Sequence, residues 1–164
     1  MADCLSFRST GYFSDLISDY IEQNQDLKPF YNRFPSIESF KDQILEKQKG
    51  YDDDNRKVLV EVLKEQYRTL SSSEVTKSHI ESLQEPSTFT VTTGHQLNLF
   101  TGPLYFLYKI VSTLNLAKSL KENYPDFNFV PVYWMATEDH DFEEINYFQH
   151  LQHWFSTLAF CVVN

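Results

Sequence analysis

The sequence is short of basic residues, of cysteine and of uninterrupted apolar runs, and each shortage closes off a class of function. Fourteen Lys and Arg against 23 Asp and Glu leave a formal net charge of −9 over 164 residues. Non-specific nucleic-acid binding needs Lys and Arg at the phosphates to release counterions, and no basic stripe supplies them. Cys4 and Cys161 are the only cysteines, too few for a disulfide framework. No charged and then apolar signal segment opens the chain, and no apolar run approaches the roughly 20 residues that span a bilayer. The expectation is a soluble protein of a reducing cytoplasm, with neither nucleic acid nor membrane as partner. What is present, 41 % hydrophobic residues and 16 % aromatic ones, suffices for a packed core in one ordinary domain.

The stretch from Phe89 to Glu144 organises the rest. Thr88 to Thr93 is β-branched and aromatic, follows Pro86 and meets Gly94, so it reads as a short strand. Leu104, Leu107, Ile110, Val111, Leu114, Ala117 and Leu120 form a helical stripe between Leu104 and Asn123. Thr101-Gly102-Pro103 suits the helix entry, with a hydroxyl near the cap and Pro in the first turn. Asn123-Tyr124-Pro125 stops the helix. Phe129 to Trp134 is apolar almost throughout, as a strand buried on both faces should be. Strand, helix and strand make one βαβ unit with a right-handed crossover. Ligands of open parallel sheets bind beyond the carboxyl ends of the strands. Gly94-His95-Gln96 follows the first strand and Glu138-Asp139-His140-Asp141 the second, so both clusters should face one crevice.

Upstream, Met1 to Gly11 reads as an arm, and Ser14 opens a helix running to about Gln25. Leu27 to Pro35 reads as an aromatic, Pro-broken connection, and Ser36 as the N-cap of a second helix ending at Gly50. Asp52, Asp53 and Asp54 precede the next helix, where the positive end of the macrodipole favours carboxylates; capping explains them better than a metal. Val58 to Leu70 and a helix capped by Ser71-Ser72-Ser73-Glu74 complete the segment. These helices carry no obvious nucleophile and read as scaffold. Leu151 to Asn164 reads equally as a third strand or as a segment whose partners are missing.

The two loops carry the chemistry. Gly94 and Gly102 flank His95, Gln96, Asn98 and Thr101, all able to donate hydrogen bonds. Their spacing is neither G-x-G-x-x-G nor a Walker loop, so a standard dinucleotide or triphosphate grip is not expected. Positioning of a carboxylate or phosphate is the functional reading; turn-shaping by the two glycines is the bland one. In the second loop Glu138, Asp139, His140, Asp141, Glu143 and Glu144 crowd together. Adjacent carboxylates raise one another's proton affinity, which tunes an acid or base. They could equally hold an ammonium or sugar hydroxyls, and a helix starting near Phe142 would account for Glu143 and Glu144 as dipole partners. His140, His150 and His153 match no metal-ligand spacing, so no metal is expected.

Three runs carry a resemblance: Thr93-Gly-His-Gln-Leu-Asn-Leu-Phe-Thr-Gly-Pro-Leu-Tyr105, the helix with Tyr108-Lys109 and Leu116-Ala-Lys118, and Val130-Pro-Val-Tyr-Trp-Met-Ala-Thr-Glu-Asp-His-Asp-Phe-Glu-Glu-Ile-Asn146. From about Phe13 to Asn146 the chain resembles the bacillithiol biosynthesis cysteine-adding enzymes, a cysteine ligase family. The resemblance implies an α/β fold: a Rossmann-like parallel sheet with a helical N-terminal segment, laid out like class I synthetase-type nucleotidyl enzymes, with a later coiled coil. It implies that residues 1–86 form the helical segment packing on the core and 87–164 the first, truncated βαβ unit. The implied reaction joins cysteine to glucosaminyl-malate through an amide, in a full-length homodimer, with the need for a nucleotide such as ATP left open. Gly94, His95, Gln96, Thr101 and Gly102 would then bind substrate or nucleotide, and Glu138, Asp139, His140 and Asp141 would be catalytic. His95 stands where the family pattern has Gln, which argues against its imidazole as the essential base. Family members are several-fold longer and the match fades after Asn146, so the expectation is an N-terminal fragment or a reading-frame break, inactive alone. The competing class is a non-catalytic ligand-binding or protein-interaction module on the same core.

Overall fold

In a computed structural model, residues 4–96 and 102–137 are described in full, and 147–150 and 153–156 by their backbone. The chain divides into two compact units, Met1–Lys49 and Gly50–Asn164. Among the described residues no helix is long and apolar enough to cross a membrane.

In the first unit the expected arm contains a short helix, α1 (Phe7–Thr10), capped by the Ser6 hydroxyl and closed by Gly11 at φ 68°. Ser14 caps α2 (Asp15–Ile21), accepting the Ile17 N–H. Arg8 ties the two together through Asp15, Asp19 and Glu22 at 3.3, 2.6 and 3.0 Å. A 3-10 helix (Gln25–Phe30) occupies much of the expected connection. Helix α3 (Phe40–Gly50) starts at Phe40 rather than beside Ser36. The Ser36 hydroxyl instead accepts from the Ser39 N–H at 3.3 Å, so its capping capacity closes the turn before the helix. Tyr20 packs edge-on against Tyr31 at 5.3 Å and tilted against Phe34 at 5.5 Å.

In the second unit α4 (Asp53–Tyr67) is capped by Asp52, whose carboxylate accepts the Asn55 N–H at 2.8 Å. The three acids therefore serve the helix start, as its dipole favours. Ser73 caps α5 (Glu74–Ser82). Strands β1 (Thr88–His95) and β2 (Asn128–Met135) pair in parallel from Thr88↔Asn128 to His95↔Met135. Helix α6 (Leu104–Asn123) joins them and packs on both. Side chains alternate across a sheet, and here the alternation sorts the partners. Val130 and Val132 meet Val60, Leu63, Ile80 and Leu83 of the α4–α5 layer. On the other face Tyr133 stacks edge-on with Phe106 of α6 at 5.6 Å.

Two expectations need correction. Strand β1 does not stop at Gly94; it runs on through His95, because the parallel partner continues to Met135. Nor is β2 buried throughout. Phe129 and Val130 are buried, whereas Trp134 and Met135 are 60 % and 55 % exposed, so only the base of the strand is covered. Strands β3 (Tyr147–His150) and β4 (His153–Ser156) form a separate antiparallel hairpin. The candidate third strand thus has its partner in the residues just before it, while residues 157–164 lie outside the described ones.

One buried charge sets the start of β1. The Arg56 guanidinium, 5 % exposed, donates from Nη1 to the carbonyls of Leu83 and Thr88, both at 3.0 Å, and from Nη2 to that of Pro86 at 3.4 Å. It also lies over the Tyr51 ring, 5.2 Å from its centroid. No carboxylate neutralises it among the described residues; three carbonyl dipoles do that work instead. The end of α5 and the entry of β1 are thereby tied to α4.

Candidate functional site

At the carboxyl end of β1 the backbone of the two strands comes very close. A Cβ on Gly94 would sit 2.9 Å from the Trp134 carbonyl oxygen and 3.0 Å from the Trp134 Cβ. Glycine is needed there by its neighbour in the sheet. The next residue, His95, has its carbonyl held by the Ala136 N–H at 3.2 Å and the Tyr133 hydroxyl at 3.3 Å. This pairing brings the exit of β1 against the exit of β2, two residues before Glu138 begins the acidic cluster.

The His95 ring is held at both nitrogens. Nδ1 lies 3.1 Å from the Gln96 carbonyl oxygen and Nε2 lies 2.6 Å from the Tyr105 hydroxyl. A carbonyl can only accept, so Nδ1 carries the proton. In the neutral ring Nε2 then accepts from Tyr105. Phe106 meets the imidazole edge-on at 5.8 Å. One turn further along α6, the Lys109 Nζ donates to the Gly94 carbonyl at 3.2 Å and lies 5.5 Å from the Tyr105 ring centroid. Strand end and helix start are therefore locked by a Tyr and a Lys four residues apart, the spacing that puts both on one helix face.

Beside β1 runs an open groove of about 480 Å³, with Val91, Thr93, Tyr105, Tyr108, Lys109 and Ser112 among its lining residues. Gly102 adopts φ 63°, a left-handed conformation that favours glycine, just before α6. The N-cap of α6 is Pro103, not a hydroxyl residue, and it makes no side-chain cap bond. The described residues thus include Gly94, His95, Gln96 and Gly102 of the expected binding set. Thr101 and the expected catalytic residues Glu138, Asp139, His140 and Asp141 lie outside them.

The family profile described as bacillithiol biosynthesis BshC, N-terminal Rossmann-like domain, matches residues 1–157. The chain belongs to the BshC family. Its fold class is accordingly α/β and Rossmann-like, with β1 and β2 as parallel neighbours. A Flavobacterium johnsoniae protein is 62 % identical over 146 residues, covering 89 % of this chain and 28 % of that protein. A Flavobacterium psychrophilum protein is 63 % identical over 147 residues, with 89 % and 28 % covered. A more distant relative from Cytophaga hutchinsonii is 44 % identical over 144 residues, with 88 % and 27 % covered. Each bears the name "Putative cysteine ligase BshC". The chain spans little more than a quarter of the length of these BshC relatives.

Tyr105, Lys109 and Tyr133 join the site although loop-by-loop reading gave them no role. The Tyr105–Lys109 spacing was the available signal, since two polar side chains four apart at the mouth of an amphipathic helix face the same strand end. Tyr133 looked like one more apolar position of a buried strand. Its hydroxyl reaches back to β1 only because the register sets it opposite Thr93.

Proposed function

We propose that this chain forms the N-terminal part of a ligase that joins the carboxyl group of cysteine to the amino group of glucosaminyl-malate, working as a homodimer in the cytoplasm. The observation that carries the reading is the hydrogen-bonded junction of the two strand exits, His95 carbonyl to Ala136 N–H. Crevices at the carboxyl ends of parallel strands are where such sheets bind small molecules, and this junction leads directly into the acidic cluster.

Amide formation needs a deprotonated amine, an activated carboxyl carbon and a departing oxygen. In this reading Gly94, His95, Gln96, Thr101 and Gly102 hold an anionic group, while Glu138, Asp139, His140 and Asp141 bind the amine or sugar and carry protons. The imidazole of His95, held at both nitrogens, suits orientation better than proton transfer. Whether a nucleotide such as ATP activates the carboxyl group is decided by running the assay with and without it. The 164 residues alone supply one side of the cleft and are inactive. In support, a groove lies open along β1, and Leu104, Tyr108, Val111 and Leu114 of α6 are exposed.

The test uses a full-length family protein carrying this N-terminal sequence. Gln96→Ala and Asp141→Asn should each lower amide formation at least about tenfold, a loss of roughly 1.4 kcal/mol at the transition state. Turnover close to normal in both variants would remove these residues from the active site.

A further inference from the structure

The groove beside β1 has a chemical character that the chain as a whole does not share. In a sequence of net charge −9, its lining among the described residues includes one ammonium, no carboxylate and the hydroxyl-bearing residues Thr93, Tyr105, Tyr108 and Ser112. Six of the thirteen other Lys and Arg residues have acidic partners. Arg8, Arg33, Lys57, Lys64, Arg68 and Lys77 each pair with a carboxylate within 4 Å. Lys109 pairs with none among the described residues. Its ammonium spends one of three N–H donors on the Gly94 carbonyl, and that bond anchors it at the strand end.

Tyr105 fixes the position of this charge. Its ring lies beneath the ammonium at 5.5 Å, and its own hydroxyl is held 2.6 Å from His95 Nε2. Ser112 lies three residues beyond Lys109 on the same helix face, where its hydroxyl can join a shared ligand. A cation with spare donors, flanked by hydroxyls and with no carboxylate beside it among the described residues, suits a carboxylate attached to a polyhydroxylated body.

We propose that Lys109 is a substrate-binding residue that holds a malyl carboxylate of glucosaminyl-malate, with Tyr105 as the positioning residue that sets its ammonium. The inference deepens the ligase reading and rests on it for the identity of the substrate. It also assigns the substrates to sides of the site, with the malyl end at the α6 side of β1.

The test combines kinetics and binding in the full-length protein carrying residues 1–164. Lys109→Met should raise KM for glucosaminyl-malate at least about tenfold, leaving kcat within about threefold and KM for cysteine unchanged, the pattern of lost uniform binding. Lys109→Arg should retain most of the affinity. Tyr105→Phe should keep the ring and cost little, whereas Tyr105→Ala should approach Lys109→Met. Calorimetric titration with L-malate should show binding that weakens with added salt and disappears in Lys109→Met, with a wild-type circular-dichroism spectrum as the folding control. Equal malate affinity in wild type and Lys109→Met, or a KM change for cysteine instead, overturns the assignment. Amide formation without any malate binding overturns it too, while leaving the ligase reading intact. Lys109-dependent malate binding in a protein that forms no amide supports the subsite and sinks the ligase reading.

Discussion

The Tyr105 hydroxyl lies 2.6 Å from Nε2 of His95, and the opposite ring nitrogen faces the Gln96 carbonyl at 3.1 Å. Together these contacts select one tautomer. At a pH where the ring is neutral, His95 should carry its proton on Nδ1, which long-range ¹H–¹⁵N correlation spectra read directly. In Tyr105→Phe the Nε2 resonance should shift as its donor is lost. A wild-type ring protonated mainly at Nε2 would contradict the geometry.

Gly94→Ala tests the close approach of the strands. The added methyl meets the Trp134 backbone at 2.9 Å, and backbone within a paired sheet yields less easily than a side-chain tip. We expect a loss of about 1–3 kcal/mol, the usual cost of overpacking, measured by urea denaturation. Unchanged stability would show that the two strands separate freely at this end.

Arg56→Met keeps most of the side-chain volume but leaves the Leu83 and Thr88 carbonyls without their donor. Buried acceptors stripped of a charged partner cost about 1–3 kcal/mol each. A fall in melting temperature of about 2–4 °C per kcal/mol is expected for a chain of this size. Arg56→Lys should not rescue it fully, since a single ammonium cannot reproduce the planar fork. Wild-type stability in Arg56→Met would mean the three carbonyls are satisfied by water.

Acid should reveal the Arg33–Glu46 contact. Hydrogen bonds from Arg33, 2.6 Å away, and then from Asn32 hold the Glu46 carboxyl below its ordinary pKa. A depressed carboxylate contributes stability that is present above the unfolded value of about 4.3 and lost as pH falls through the lower folded value. Wild type should therefore exceed Arg33→Gln in stability at neutral pH, and the two should converge on acidification. A difference that persists unchanged at low pH would assign the effect to packing of the Arg33 stem.

Much of the scaffold was legible because its signals are local. Helix α6 spans Leu104 to Asn123 as its stripe and the flanking Pro103 and Pro125 imply, and Ser14, Asp52 and Ser73 cap the helices their positions suggest. Ser36 misled because a hydroxyl that accepts from the third residue on looks the same whether the chain then continues as a helix or only completes a turn. Gly94 misled for a different reason. Read alone it is a strand breaker, but its small size serves Trp134, forty residues away in sequence. Of the candidate site, the exit of β1 at Gly94-His95-Gln96 was legible as a strand end; the Lys109-to-Gly94 and Tyr133-to-His95 bonds depend on how strands and helix pack, which no local pattern encodes.

The Arg56 contacts also impose an order of events during synthesis. Thr88 follows Arg56 by 32 residues and Leu83 by 27, so α4 leaves the ribosome before any of its guanidinium's acceptors exist. Until then the cation stays in water, and α4 has no reason to settle beneath the strand. Once Thr88 has emerged, closing that loop delivers three hydrogen bonds together, a reward that grows faster than the slowly rising loop entropy. The start of β1 is therefore met, as it emerges, by an arginine translated well before it.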